Sequence, residues 1–206
     1  MGRITVTGKA EAEFVTDIIT LSMTVQKKNK THDSAVKSGK DALELLLSGL
    51  SEMDIPPDKC ELQEESVSSD FQTGDTVFRK TILLKMKADL PLLEEITSML
   101  SQTDGVFYDV DFSLSDPAAL AASVADDAIE DSRQRAEKIA SKLGLVITGA
   151  EEINDLSSPV MYAVPDCAFG ALRSAKNSLS SKLTSRKETI TREVSVTWGT
   201  ERCDAK

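Results

Sequence analysis

The chain predicts an α+β protein: a mainly antiparallel sheet of about seven strands, made of two hairpins plus later strands, covered by three helices. Two observations carry this. Stretches alternating with period two come in pairs, and stretches of helical period lie between the pairs instead of after every strand. Strict strand–helix alternation, the mark of a parallel sheet, is missing.

Ile4, Val6, Ala10, Ala12 and Phe14 alternate with Thr5, Thr7, Lys9, Glu11 and Glu13. Ile19, Leu21, Met23 and Val25 alternate in the same way with Thr20, Ser22, Thr24 and Gln26. Only a short break separates the two runs, so they predict an antiparallel hairpin with one wet face. A helix over about 33–53 buries Ala35, Gly39, Ala42, Leu43, Leu46 and Leu50 and stops at Pro56 and Pro57. A second hairpin spans about 60–71 and 77–88, turning near Gly74 and Asp75. A shorter helix follows over about 90–102, with Pro91 in its first turn. Val106, Tyr108, Val110, Phe112 and Leu114 mark a fifth strand.

The longest helix is predicted over about 117–143. Asp116 is placed to cap it, Pro117 suits the first helical position, and Gly144 closes it. Ala118, Ala122, Ala125, Ile129, Ser132, Ala136, Ile139 and Leu143 recur at helical spacing and predict its buried seam. Acids in its first half and Arg133, Arg135, Lys138 and Lys142 in its second follow the order that the helix dipole favours. Strands over about 146–153 and 188–198 complete the set. The whole is read as one domain over 1–206, with an irregular insertion at about 154–187. Arg173, Lys176, Lys182, Arg186 and Lys187 fall in the latter half of that insertion, with no acid until Glu188.

Composition narrows the classes. The chain has 206 residues, 40% hydrophobic and 28% charged, as an ordinary globular protein does. Its formal net charge of −10 argues against general affinity for nucleic acid or an anionic membrane. No apolar run approaches the roughly 20 residues of a spanning helix. A strand begins within a few residues of Met1, so the expectation is a cytoplasmic protein, or an exported one whose signal has been removed. Cys60, Cys167 and Cys203 are unclustered, which suits free thiols in a reducing compartment.

No residue is assigned a catalytic, cofactor-binding or metal-ligating role, and no cofactor is expected. His32 is the single histidine and lies at a predicted strand-to-helix turn, where a solvated side chain is expected. The chain has no phosphate-binding glycine loop and no Gly-x-Ser-x-Gly elbow. Asp126, Asp127, Glu130 and Asp131 crowd two helical turns, but carboxylates on a helix without a ligand loop make a poor calcium site. Glu64, Glu65, Glu151 and Glu152 read as surface charge.

Phe112-Ser-Leu-Ser-Asp116, followed by Asp131-Ser-Arg-Gln-Arg-Ala-Glu-Lys-Ile-Ala-Ser-Lys-Leu-Gly144, resembles the core motif of the SIMPL-domain family. Ile4-Thr-Val-Thr-Gly8 resembles the family's opening strand, and the run from Glu188 to Trp198 its last, so the likeness spans nearly the whole chain. The family includes bacterial periplasmic and outer-membrane-associated immunogenic proteins. The resemblance implies an α+β domain of undefined activity, linked to ring-like assembly and stress tolerance instead of a reaction.

Two functions are therefore expected. The first is a non-enzymatic protein acting through self-assembly or protein interaction, as a homo-oligomer joined by a sheet edge or by the 154–187 segment. The second is a small-molecule-binding protein or enzyme with a site under that segment. The first is preferred.

Overall fold

The computed structural model describes residues 2–157 and 186–202. In chain order the elements are β1 (Gly2–Val15), β2 (Ile18–Asn29), α1 (His32–Glu52), β3 (Cys60–Ser69), β4 (Thr76–Lys87), α2 (Leu90–Gln102), β5 (Val106–Ser113), α3 (Pro117–Lys142), β6 (Leu145–Asp155) and β7 (Lys187–Arg202). Seven strands and three helices give the expected α+β class. All strand pairing is antiparallel, and it forms two sheets, ordered β1-β7-β6 and β3-β4-β2-β5. The described residues fall into two compact units. The first holds β1, α3, β6 and β7, and the second holds β2 to β5 with α1 and α2.

In the first unit, β1 pairs with β7 from Gly2↔Thr200 to Val15↔Lys187. This corrects the expected first hairpin, because β1 and β2 do not pair. The bridge between them, Thr16-Asp17, contains no turn-forming pair, and β7 offers all fourteen residues of β1 an antiparallel partner. The pairing is a contact between chain ends, which local alternation does not reveal.

α3 lies on one face of this sheet. Its first turn is closed by Asp116, whose Oδ1 accepts the Ala119 N–H at 2.9 Å. Gly144 sits past its end at φ 67°. The buried face is Ala121, Val124, Ala128, Ser132, Ala136 and Ala140. Of the predicted seam only Ser132 and Ala136 are buried. Ala118 and Ala122 are exposed, Ala125 and Ile129 are half-buried, and Ile139 and Leu143 face outward. The cause is closeness: a Cβ at Gly8 would stand 1.9 Å from the Ala128 carbonyl oxygen, so the helix backbone touches β1. At that contact the helix presents the small Ala128, Ser132 and Ala136, while Val124 is buried further towards the start of α3 and Ile139 and Leu143 are turned outward. Ile4, Val194, Val196 and Trp198 complete this core. The Trp198 indole N–H donates to the buried Ser132 Oγ at 2.9 Å, so these two buried polar groups satisfy each other.

In the second unit, α1 and α2 cover one face of the sheet. Ile19, Leu21, Met23, Ile82 and Leu84 from the strands meet Leu46, Leu50, Leu93, Ile96 and Leu100 from the helices. Thr31 caps α1 through the Ser34 N–H, and Asp89 caps α2 through the Leu92 N–H at 3.1 Å. Gly39 of α1 lies against the Phe78 ring of β4, so helix and sheet approach closely here as well.

Candidate interaction surface

The second sheet ends on β3. α1 and α2 pack on β2, β4 and β5, while β3 is exposed along nearly its whole length. It is held by its ladder to β4 and by Lys80 Nζ on Glu65 at 2.7 Å. Its register slips between Leu62 and Glu64, leaving 64–69 as the regular stretch. Leu62 and Val67 project into solvent at 58% and 38% exposure.

The turn after β3 carries the most exposed large hydrophobic side chain among the described residues. The Asp70 N–H donates to the Asp75 carbonyl and the Gly74 N–H to the Asp70 carbonyl, each at 2.7 Å. Asp70 Oδ1 accepts the Gln72 N–H at 2.9 Å, and Lys28 Nζ reaches Asp70 Oδ2 at 2.6 Å. Four bonds therefore fix the backbone on either side of Phe71, whose side chain is 101% exposed. An aromatic ring on an anchored turn enters an interface with little ordering of its own backbone.

The anchor has an electrostatic signature. The Lys28 ammonium, followed by the Gln72 N–H, holds the Asp70 carboxyl down from 3.8 to about 2. A depressed carboxyl contributes stability above its unfolded pKa and loses it as pH falls through the folded one. The Asp70 contribution should therefore be full above about pH 4 and disappear towards about pH 2. A carboxyl-carbon NMR titration should place Asp70 near 2, and Lys28→Met should move it up towards 3.8. An Asp70 that titrates at 3.8 in the unaltered chain would mean that the turn is not anchored in this way.

The residues singled out from sequence lie apart from this turn, except at β3. His32 begins α1, exposed, with Nδ1 3.4 Å from Asp33 Oδ1. Cys60 starts β3, half-buried, and burial, then Asp58, pushes its thiol pKa up, away from the reactive thiolate. Cys167, Cys203 and the 158–185 part of the expected insertion lie outside the described residues, as does any site beneath that part. Asn154 and Asp155 end β6, and Lys187 opens β7, so strands reach into both ends of the predicted 154–187 span.

The acidic run on α3 divides. Asp126 and Asp127 are solvated, and Glu130 pairs with Arg133 at 3.2 Å. Asp131 accepts the backbone N–H of Lys9 at 2.9 Å and an Arg135 N–H at 2.8 Å. The Lys9 bond is the main cause of its lowered pKa. This carboxylate occupies a backbone donor of the edge strand β1, which blunts that edge. Glu64 is exposed, Glu151 pairs with Arg3 at 2.6 Å, and Glu152 accepts from Asn154 at 3.1 Å. Among the described residues, no three of His, Cys, Asp and Glu converge as metal ligands. No helix among them is long and apolar enough to cross a membrane.

The architecture is thus that of an α+β protein with an exposed aromatic ring at the turn of its edge hairpin. The chain belongs to the SIMPL family, described as a protein of unknown function (DUF541), whose model matches residues 4–198. No curated protein matches it. Among solved structures it is similar to the crystal structure of an unknown protein from Galdieria sulphuraria, at 10% identity. That match covers 89% of this chain and 81% of the other at a TM-score of 0.22, too low to carry an argument.

Proposed function

We propose that the protein acts without catalysing a reaction, as a homo-oligomer whose copies associate through the β3–β4 hairpin, with a role in stress tolerance. The observation that supports association through this hairpin is Phe71, fully exposed on an anchored turn beside the uncovered edge strand with Leu62 and Val67. An edge strand carries unpaired backbone groups, and a second edge can satisfy them. A two-fold antiparallel pairing centred on Ser66 sets Glu65 opposite Val67 and Glu64 opposite Ser68. No acid then lies directly opposite an acid, and Glu65, diagonal to the Glu65 of the second copy, is countered by Lys80.

Light scattering tests this reading. The unaltered chain should show a mass above its 22.3 kDa monomer at high concentration. Phe71→Ser should weaken association at least about a thousandfold, since the two-fold contact loses one phenylalanine from each copy and each contributes about 2–3 kcal/mol. A monomer at every concentration would contradict the proposal, and so would association indifferent to Phe71.

A further inference from the structure

Away from the hairpin, α1 and α2 of the second unit enclose an open groove of about 770 Å³. Leu45, Gly49 and Met99 form its apolar floor, and Glu52, Glu94 and Glu95 stand along it. Gly49 is what makes the floor low: a Cβ there would lie 3.2 Å from Met99 Sδ. Leu45 is 62% exposed although it sits on a packed helix, so its apolar surface awaits a cover. No cation lines the groove, and none of its three carboxylates has an ion-pair partner among the described residues.

An occupant must therefore bring both positive charge and apolar side chains. Residues 18–30 and 76–88 of this chain combine the two, but they are paired in β2 and β4, and a further such stretch lies outside the described residues. Between Asp166 and Glu188 there is no acid, and Leu172, Arg173, Lys176, Leu179, Lys182 and Leu183 interleave three cations with three leucines. We propose that the α1–α2 groove of one copy receives residues 172–183 of a second copy, the cations meeting Glu52, Glu94 and Glu95 and the leucines covering Leu45 and Met99. Charge of one sign on the groove and of the other on the segment favours the correct partner and repels groove from groove. This inference rests on the reading of the protein as a self-assembling one, but it uses a surface separate from the β3 edge.

Charge exchange in the full chain tests it, with solution mass by light scattering as the readout and circular dichroism as the check on folding. Glu94→Lys with Glu95→Lys should weaken association about tenfold, because reversal replaces two weak attractions by two repulsions. Lys176→Glu with Lys182→Glu should weaken it similarly. The protein carrying all four changes should regain the association of the unaltered chain. Association should also fall between about 0.05 M and about 0.5 M salt, where screening shortens the reach of these charges. Should the glutamate variants not fold, Leu45→Ser at the exposed floor position replaces them, with weakened association again expected. A chain that is monomeric throughout overturns this docking together with the assembly reading. Association that ignores both exchanges, or that the four-fold variant does not restore, overturns the docking alone and leaves the hairpin contact standing.

Discussion

Gly8→Ala is expected to lower stability by about 3 kcal/mol, the upper end of what overpacking usually costs. The added methyl would stand 1.9 Å from the Ala128 carbonyl oxygen and 2.7 Å from the Ser132 nitrogen. Both are backbone atoms of α3, so no rotamer change relieves the clash. The helix itself must retreat, which draws Ala128, Ser132 and Ala136 off the sheet and stretches the bond from Trp198 to Ser132. Urea unfolding followed by tryptophan fluorescence reads this directly, because Trp198 lies in that core and is the chain's one tryptophan. Gly149→Ala is the control: nothing lies within 4 Å of a Cβ there, and a change within about 0.5 kcal/mol is expected. An unmoved midpoint for Gly8→Ala would show that α3 does not rest on β1 at this distance.

Gly39→Ala is expected to cost about 2–3 kcal/mol through a different obstacle. Here the new methyl meets a side chain, the Phe78 ring, at 2.1 Å from Cδ1 and 2.5 Å from Cγ and Cε1. Phe78 is fully buried, so its ring moves only if the surrounding core gives way. Shortening the obstacle should then help. In the Gly39→Ala background, Phe78→Leu should cost at least about 1 kcal/mol less than it does alone, a coupling that only direct contact produces. Additive effects would mean that the two residues do not touch.

The sequence carried the local structure well because its signals are local. Alternation at Ile19 to Val25, helical spacing from Ala35 to Leu50, the cap at Asp116 and the turn at Gly74 all act within a few residues. What it hid depends on distant partners. The pairing of β1 with β7 joins Gly2 to Thr200, and nothing near Gly2 encodes that. Small and apolar residues recur on more than one face of α3, and only the contact at Gly8, made by a distant strand, settles that Ala128 and Ser132 turn inward while Ile139 faces out. Asp131 looked like one more solvated acid, since the Lys9 N–H that it accepts is supplied by another strand.

The hairpin surface was half legible. The turn near Gly74 and Asp75 is legible in the sequence, but the expected strand over 60–71 includes Phe71, whereas β3 ends at Ser69 and Phe71 lies in the turn. Its full exposure depends on how Lys28 and Asp75 hold Asp70, which only the folded arrangement reveals. The exposure of β3 likewise follows from its place at the sheet edge, outside the strands that α1 and α2 cover.

Association through the hairpin predicts a change in the backbone of β3 itself, so amide hydrogen exchange is the most direct test. Between about 1 μM and about 100 μM protein, amides of β3 that have no partner on β4 should pass from fast exchange to protection, while rates in β2 and α1 stay constant. Phe71→Ser should move that change to higher concentration. Amides of β3 that exchange at one rate throughout, in samples whose mass shows association, would contradict the account.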